Sequence, residues 1–485
     1  MILPLFIKEY VVIIGLIVIA TIVFYFFFKD KIIMNWALVC LFVVTAAYFS
    51  INIWIFFTIL FFLIIILLHK KSNLTKLGYF FLLLPLIPNV AEVIRLPGAI
   101  PLFTLSYSRM LSLCILFPLF LFYSTHPKKR IFSYKIDKYV IAFLTLAFFL
   151  GFRDTTFTNT FRMGFENFVD YFLPYFVISR TVNKAEDFKK LFYFLIFIAL
   201  FLALLSIFET AKRWHMYEGL PIGGGSYYAA RGGLLRAYGS FDGNTIPFGM
   251  YFCIMAAFLF FINYFNFGKL KVGWLTIIFF IAMLCTLSRG PIVGYAVLFL
   301  LMFKSKLFKL IPIVLVILVL FFVSPLGKVT ISSLPFIGTK DQGTITYRQR
   351  VLTNSIEVIK RSPLTGSNTY LQEPEMEELR TGQNIIDILN AYVQIALSTG
   401  IIGLILYLSI FISILINLWR RYLHTYINQI IMLGKVLFSV TIASMVMIST
   451  VSLISLLPHY IWILFGFCAG YIHMAASFKD KSLSH

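Results

Sequence analysis

Four short segments combine arginine with glycine, hydroxyl and carboxylate residues in a chain that is otherwise apolar. The first reads Arg236-Ala-Tyr-Gly-Ser-Phe-Asp242-Gly-Asn244-Thr-Ile-Pro247-Phe-Gly249. Gly and Asn permit tight turns, and Pro247 suits the first turn of a helix. A helix start beside Arg236 can offer free N–H groups to an anion, or it can be an ordinary turn that opens a helix. The second segment, Leu287-Ser288-Arg289-Gly290-Pro291, sits between two apolar runs. An arginine in so short a connection is costly unless it faces a cavity or a partner, or snorkels to the interface. The third runs from Tyr347-Arg348-Gln349-Arg350 to Ser362-Pro363-Leu364-Thr365-Gly366. Val351, Leu352, Ile356 and Ile359 recur at roughly helical spacing, and Pro363 and Gly366 stop the helix. The fourth is Asp387-Ile-Leu-Asn390-Ala-Tyr392-Val-Gln394, leading to Gly400 and Gly403. On one continuous helix Asp387, Asn390 and Gln394 would share a face at i, i+3 and i+7, polar where the chain meets the membrane.

The elements that must position these residues follow from composition. Of 485 residues, 60% are hydrophobic and 13% charged, with 55 Phe and 26 Tyr. That excludes soluble, fibrous and disordered chains and describes an all-α polytopic membrane protein. Apolar runs near 10–28, 34–49, 51–68, 77–90, 104–124, 137–152, 163–180, 188–208, 245–266, 270–287, 290–304, 307–324, 398–419, 429–450 and 455–475 give about 12–15 spans, with 77–90 short enough to be re-entrant. No small-residue cleavage site follows 10–28, so that run is expected to remain as a span. The expected organisation is N-terminal spans over 1–208, a long outer segment at 209–244, central spans over 245–324, a second long outer segment at 325–397 with amphipathic helices, and C-terminal spans with a short tail over 398–485.

The net charge of +21 lies mostly in short loops rather than in a basic stripe, which argues against nucleic acid. Loops such as Lys29–Lys31, Lys128–Lys138 and Lys304–Lys309, with the Lys479–Lys481 tail, mark the cytoplasmic side. That side is mostly Lys. The other side is mostly Arg: Arg95, Arg109, Arg153, Arg162, Arg213, Arg231, Arg236, Arg289, Arg348, Arg350, Arg361 and Arg380. The guanidinium fork grips phosphate at two points, so this bias suggests a phosphate-bearing ligand at the outer leaflet, although arginine can also simply anchor the interface. The five cysteines lie in apolar runs without metal spacing, and no metal site or cofactor is expected. Outer histidines reduce to His215 and His459. Glu166 and Asp170 stand at i, i+4 with Arg162 near enough in sequence to pair with them.

Taken together and in order, Arg-x-x-Gly-Ser-Phe before a span, Ser-Arg-Gly between spans, Arg followed by a long helix and Ser-Pro-Leu-x-Gly, and Asn-x-Tyr-x-Gln-x-Ala before Gly-Ile-Ile-Gly resemble the O-antigen polymerase and O-antigen ligase superfamily over roughly 230–415. The resemblance implies a GT-C-like, metal-independent glycosyltransferase of the bacterial inner membrane. Its active site would face the periplasm and its C-terminus the cytoplasm. It would take glycan from undecaprenyl diphosphate at the periplasmic leaflet. A polymerase passes the glycan to a hydroxyl of another lipid-linked unit; a ligase passes it to lipid A-core or protein. Family members commonly carry His-Asn where this chain has Leu389-Asn390, which favours the polymerase. A lipid-linked oligosaccharide flippase is the rival of another class, but its arginines should line a cavity within the spans. Charge stabilisation on the leaving diphosphate is assigned to Arg236, Arg289 and Arg348, whereas the absent histidine leaves the base unassigned, with Asp387 and Asp242 as the acidic candidates taken forward over Glu166 and Asp170. Substrate contacts are expected at Arg350, Asn390, Tyr392, Tyr347, Asn244 and Gln394. Implied partners are the lipid-linked donor and acceptor, membrane lipid, a chain-length regulator and a flippase.

Overall fold

The computed structural model describes residues 4–96, 100–127, 129–223, 229–231, 233–263, 269–303, 342–380, 386–423 and 427–482. The expected span at 307–324 and the start of the second long segment lie outside them. Each apolar run among the described residues becomes helical over most of its length because, in hydrocarbon, a helix satisfies its own backbone. In chain order these are α1 Leu5–Phe28, α2 Ile33–Phe49, α3 Ile53–Leu68, α4 Asn73–Leu83, α5 Tyr107–Ser124, α6 Asp137–Asp154, α7 over 157–181, α8 Ala185–Lys212, α9 Thr245–Asn263, α10 Lys269–Cys285, α11 Arg289–Phe303, α12 Gln342–Arg361, α13 Ala391–Leu423, α14 Asn428–Ile448 and α15 Leu457–Ser482. Among the described residues seven helices are long and apolar enough to cross a membrane, and α2, α3, α11 and 272–285 of α10 are shorter apolar helices. The chain is a multi-pass, all-α membrane protein.

The runs at 77–90, 137–152 and 163–180 are not among those helices. The first ends early because Pro85 and Pro88 stop α4, and the chain turns back through a buried stretch. The other two helices carry Asp137, Arg153 and Asp154, and Arg162, Glu166, Asp170 and Arg180, which lower their hydropathy. The run expected from 104 starts as a helix only at Tyr107. Before it lies an antiparallel hairpin, β1 Ala91–Leu96 and β2 Ile100–Ser106, with a bulge between Ile94 and Arg95. β-branched Val93 and Ile94 on β1 face Thr104 and Phe103 on β2.

α8 is the central post, packed against α1, α4, α9 and α10. α15 lies along the second half of α7 and touches α13 and α14. α12 follows the expected amphipathic pattern with a shifted stripe. Val351, Ser355 and Val358 are buried, whereas Leu352 and Ile356 are about half exposed. The buried stripe meets Met376, Leu379, Ile388 and Leu397 in a small separate core.

α12 joins α13 through a backbone crossing. Ile401 N–H donates to Pro363 O at 2.9 Å and Ser367 N–H to Leu397 O at 2.8 Å. Gly366 (φ +67°) and Gly400 (φ +69°) both occupy the left-handed region here, and neighbouring backbone leaves no room for a Cβ at either. Gly400 also breaks the helical path of α13. Gly400→Ala is therefore expected to cost at least ~1–3 kcal/mol and to lower the thermal midpoint of the detergent-solubilised protein. Ser398→Ala, two residues away, should leave that midpoint nearly unchanged.

Candidate functional site

The segment 236–244 is held before any side chain acts. Arg236 N–H donates to Ala229 O (2.9 Å) and Ala237 N–H to Cys285 O (3.0 Å), which lays the segment on the end of α10. From α8, buried Glu209 accepts N–H bonds from Tyr238 and Gly239 at 3.1 Å each, and from Met216 at 2.9 Å. His215 stacks on Tyr238 with ring centroids 4.1 Å apart. Asn244, expected as a substrate contact, opens α9: its carbonyl accepts from Phe248 N–H, and its side-chain amide donates to Asp242 O.

This framework gathers the arginines. Arg236 Nε donates to Thr286 O (3.1 Å) and its Nη2 to Ser288 Oγ (2.9 Å). Arg231 Nη1 donates to Leu287 O at 3.2 Å. Both therefore grip the 286–288 turn that leads into Arg289, a turn sharpened by Leu287 at φ +48°. Arg348 from α12 feels Arg289 and Arg231 as like charges and Asp387 as an opposite one. Burial, then Arg231, pushes the Arg236 guanidinium down to about 10. Arg348 is likewise lowered, first by burial. Four guanidinium groups thus share one region, and a bound anion would relieve both their mutual repulsion and their desolvation.

Asp387 lies beside this cluster, but not on the helix face expected of it. α13 begins at Ala391, and Asn390 stands before it as its cap, its side chain accepting from Tyr392 N–H (2.9 Å) and Val393 N–H (3.2 Å). Residues 386–390 are non-helical, with Leu389 at φ +54°. An N-cap asparagine competes with continuation of the helix, so the i, i+3, i+7 face does not form. Asp387 is instead tied to α12: Tyr347 hydroxyl bonds its backbone O and N at 3.2 and 3.1 Å.

A loop not marked out by sequence joins these parts. Between α14 and α15, Ser452 Oγ donates to Asp387 Oδ1 (2.7 Å) and Leu453 N–H to Gln394 Oε1 (2.7 Å). Three residues on, Ser455 (φ +52°) donates to Asp242 Oδ2 at 3.2 Å. Thr450 packs against Gly290 so closely that a Cβ there would not fit. One loop therefore touches the 242, 290 and 387 segments. The signal available was its polarity: Ser449, Thr450, Ser452 and Ser455 interrupt two apolar runs.

Asp242 (φ +50°) also accepts from Asn89 N–H at 2.9 Å. Burial raises its carboxyl above the ordinary aspartate value, against the lowering effect of these two donors. Two expected contacts point elsewhere. Arg350, two residues past Arg348 and so on the far side of α12, reaches Glu378 O. Tyr392 spends its hydroxyl on Met445 O at 2.9 Å. Glu166 and Asp170 pair with Arg109, at 2.8 Å each, rather than with Arg162, which bonds Asn159. The hairpin brings Arg109 over α7, where Thr104 O also accepts from it. His459 stands 3.5 Å from Asp170. Among the described residues no three His, Cys, Asp or Glu side chains gather as a metal site.

Residues 274–408 match the family model of the O-antigen ligase. The matched stretch carries Arg289, Arg348, Asp387, Asn390 and both glycines of the crossing. It supports the O-antigen polymerase and ligase superfamily, and an activity of that type. Arg236, Asp242 and the serine loop lie outside it and are joined to it by the hydrogen bonds above. No curated protein matches the chain. Because Glu209 holds the 236–244 segment, Glu209→Ala should strand three backbone donors at about 1–3 kcal/mol each. Hydrogen exchange at Tyr238 and Gly239 should accelerate while α9 stays protected.

Proposed function

We propose that this protein is a polymerase of lipid-linked polysaccharide repeat units. It takes glycan from undecaprenyl diphosphate at the periplasmic leaflet and passes it to a hydroxyl of a second lipid-linked unit. The observation that carries this reading is the shared region of Arg231, Arg236, Arg289 and Arg348, with Asp387 as the acidic group beside it. A diphosphate leaving group accumulates negative charge as its bond to sugar breaks, and pre-positioned guanidinium groups stabilise that charge without reorganising. Lysine-rich loops on the opposite side support the periplasmic placement of this cluster. Chain-length regulator and flippase partners belong to this proposal as well.

The acceptor hydroxyl oxygen forms a bond to the donor's anomeric carbon. The bond from that carbon to the diphosphate oxygen breaks, and lipid diphosphate leaves with the electron pair. The hydroxyl proton passes to a base, and Asp242 suits that role better than Asp387. Its burial raises its basicity. The match to the O-antigen ligase family keeps a second reading, transfer to lipid A-core or protein. Leu389 in place of the family histidine weighs against it.

Purified protein mixed with the lipid diphosphate-linked repeat unit, without nucleotide, should give a ladder of products on a gel. Transfer only after lipid A-core is added would establish the ligase, and no transfer with either acceptor would remove both readings. Arg289→Ala should lower polymer formation by ~10²–10³ at unchanged expression, while wild-type chain length in that variant would remove the charge-stabilising role. As base, Asp242 must be ionised, so activity should rise with pH through its raised pKa. Ser455→Ala removes a donor that favours the ionised form, so the acid limb of the pH–rate profile should move to higher pH.

A further inference from the structure

A cavity of about 380 Å³ lies on the side of the 236–244 segment that faces the β1 hairpin. Asn89, Ala91, Tyr217, Tyr238, Gly239 and Asp242 are among its lining residues, and among the described residues no Lys, Arg or His lines it. It is near the lower end of the ~300–1,000 Å³ typical of small-ligand pockets, enough for a sugar ring and a neighbour. Its position is fixed: Asn89 is held through Ser108 N–H to its Oδ1 at 2.9 Å, and Tyr217 through its hydroxyl to Leu86 O at 2.7 Å.

We propose that this cavity is the acceptor-sugar subsite, separate from the arginine cluster that holds the donor diphosphate. This rests on the transferase reading above. A carboxylate in a pocket lined by no cation repels phosphate but accepts a hydrogen bond from a hydroxyl, so the ligand class is a neutral, polyhydroxylated ring. Asp242 has two of its roughly four acceptor positions occupied, by Asn89 N–H and Ser455 Oγ, which leaves capacity for such a hydroxyl. Tyr238 lines the cavity with its ring held against His215, which fixes that wall. Arg236 and Asp242 are six residues apart on one segment, a reach of at most ~22 Å even if extended. Their side chains engage different neighbours, the 286–288 turn for one and Asn89 with Ser455 for the other. The donor diphosphate and the acceptor hydroxyl can thus approach one another along this segment.

The test is thiol protection in full-length protein. Ala91→Cys places a thiol at the cavity, and its labelling by a small maleimide is followed against wild type, whose own five cysteines give the background. Free glycan, released from the native lipid carrier and so lacking diphosphate, should slow labelling several-fold. Undecaprenyl diphosphate alone should not. Adding Asp242→Asn should weaken the protection, and adding Arg289→Ala should leave it intact although that change removes transfer. Protection by undecaprenyl diphosphate alone, or none by free glycan, would overturn the subsite. Since this readout needs no turnover, it stands or falls separately from the gel assay of transfer.

Discussion

Like charges in a poorly hydrated region repel, and the rest of this structure is arranged around holding four arginines against that repulsion. Burial first, and neighbouring arginines after it, lower the guanidinium pKa values of Arg236 and Arg348. Side chains alone would swing apart into water, so the restraint comes from backbone. Two of the arginines bond carbonyls of one turn, at Thr286 and Leu287. That turn ends α10 and opens α11, while Glu209 fixes the segment that carries Arg236. The fourth arginine arrives on α12, whose position is set where Gly366 and Gly400 allow two backbones to touch.

The serine loop at 449–456 closes this arrangement. It binds Asp387 through Ser452 and Asp242 through Ser455, and packs on Gly290 through Thr450. Hydrogen bonds join Arg236 to the 286–288 turn, and Asp387 and Asp242 to the loop, while Arg348 meets Arg289 and Asp387 through the field of their charges. The segments are thus held from several directions. Transfer chemistry demands this, since small errors in orientation forfeit much of the advantage of bringing reactants together.

Much of this was legible in the chain. Apolar runs mark most helices, since hydrocarbon solvent admits few alternatives. The four arginine- and glycine-bearing segments proved to be neighbours, although Arg231 stood only among the general outer arginines. What was not legible came from tertiary partners or local competition. Asn390 caps a helix rather than continuing one, so Asp387 leaves the expected face. Arg109, in the first turn of α5 and bonded to Thr104 O of the preceding hairpin, takes the place expected of Arg162 beside Glu166. The serine loop reads as a mere connection until its partners, distant in sequence, come into contact with it.

The distribution of charge around the 236–244 segment gives this site its direction. Under the proposed reading, diphosphate is favoured where guanidinium groups are crowded and disfavoured beside Asp242, where no cation lies among the described lining residues, whereas a neutral sugar is not repelled there. Donor and acceptor units that carry the same glycan can therefore be told apart by which of their parts meets which side. Orientation follows from electrostatics before any sugar-specific contact is made, and the segment between the two sides needs only to be rigid. The bonds from Glu209, Cys285 and Ser455 supply that rigidity from α8, α10 and the serine loop. On the proposed reading, the same segment separates the two substrates and sets the distance across which they react.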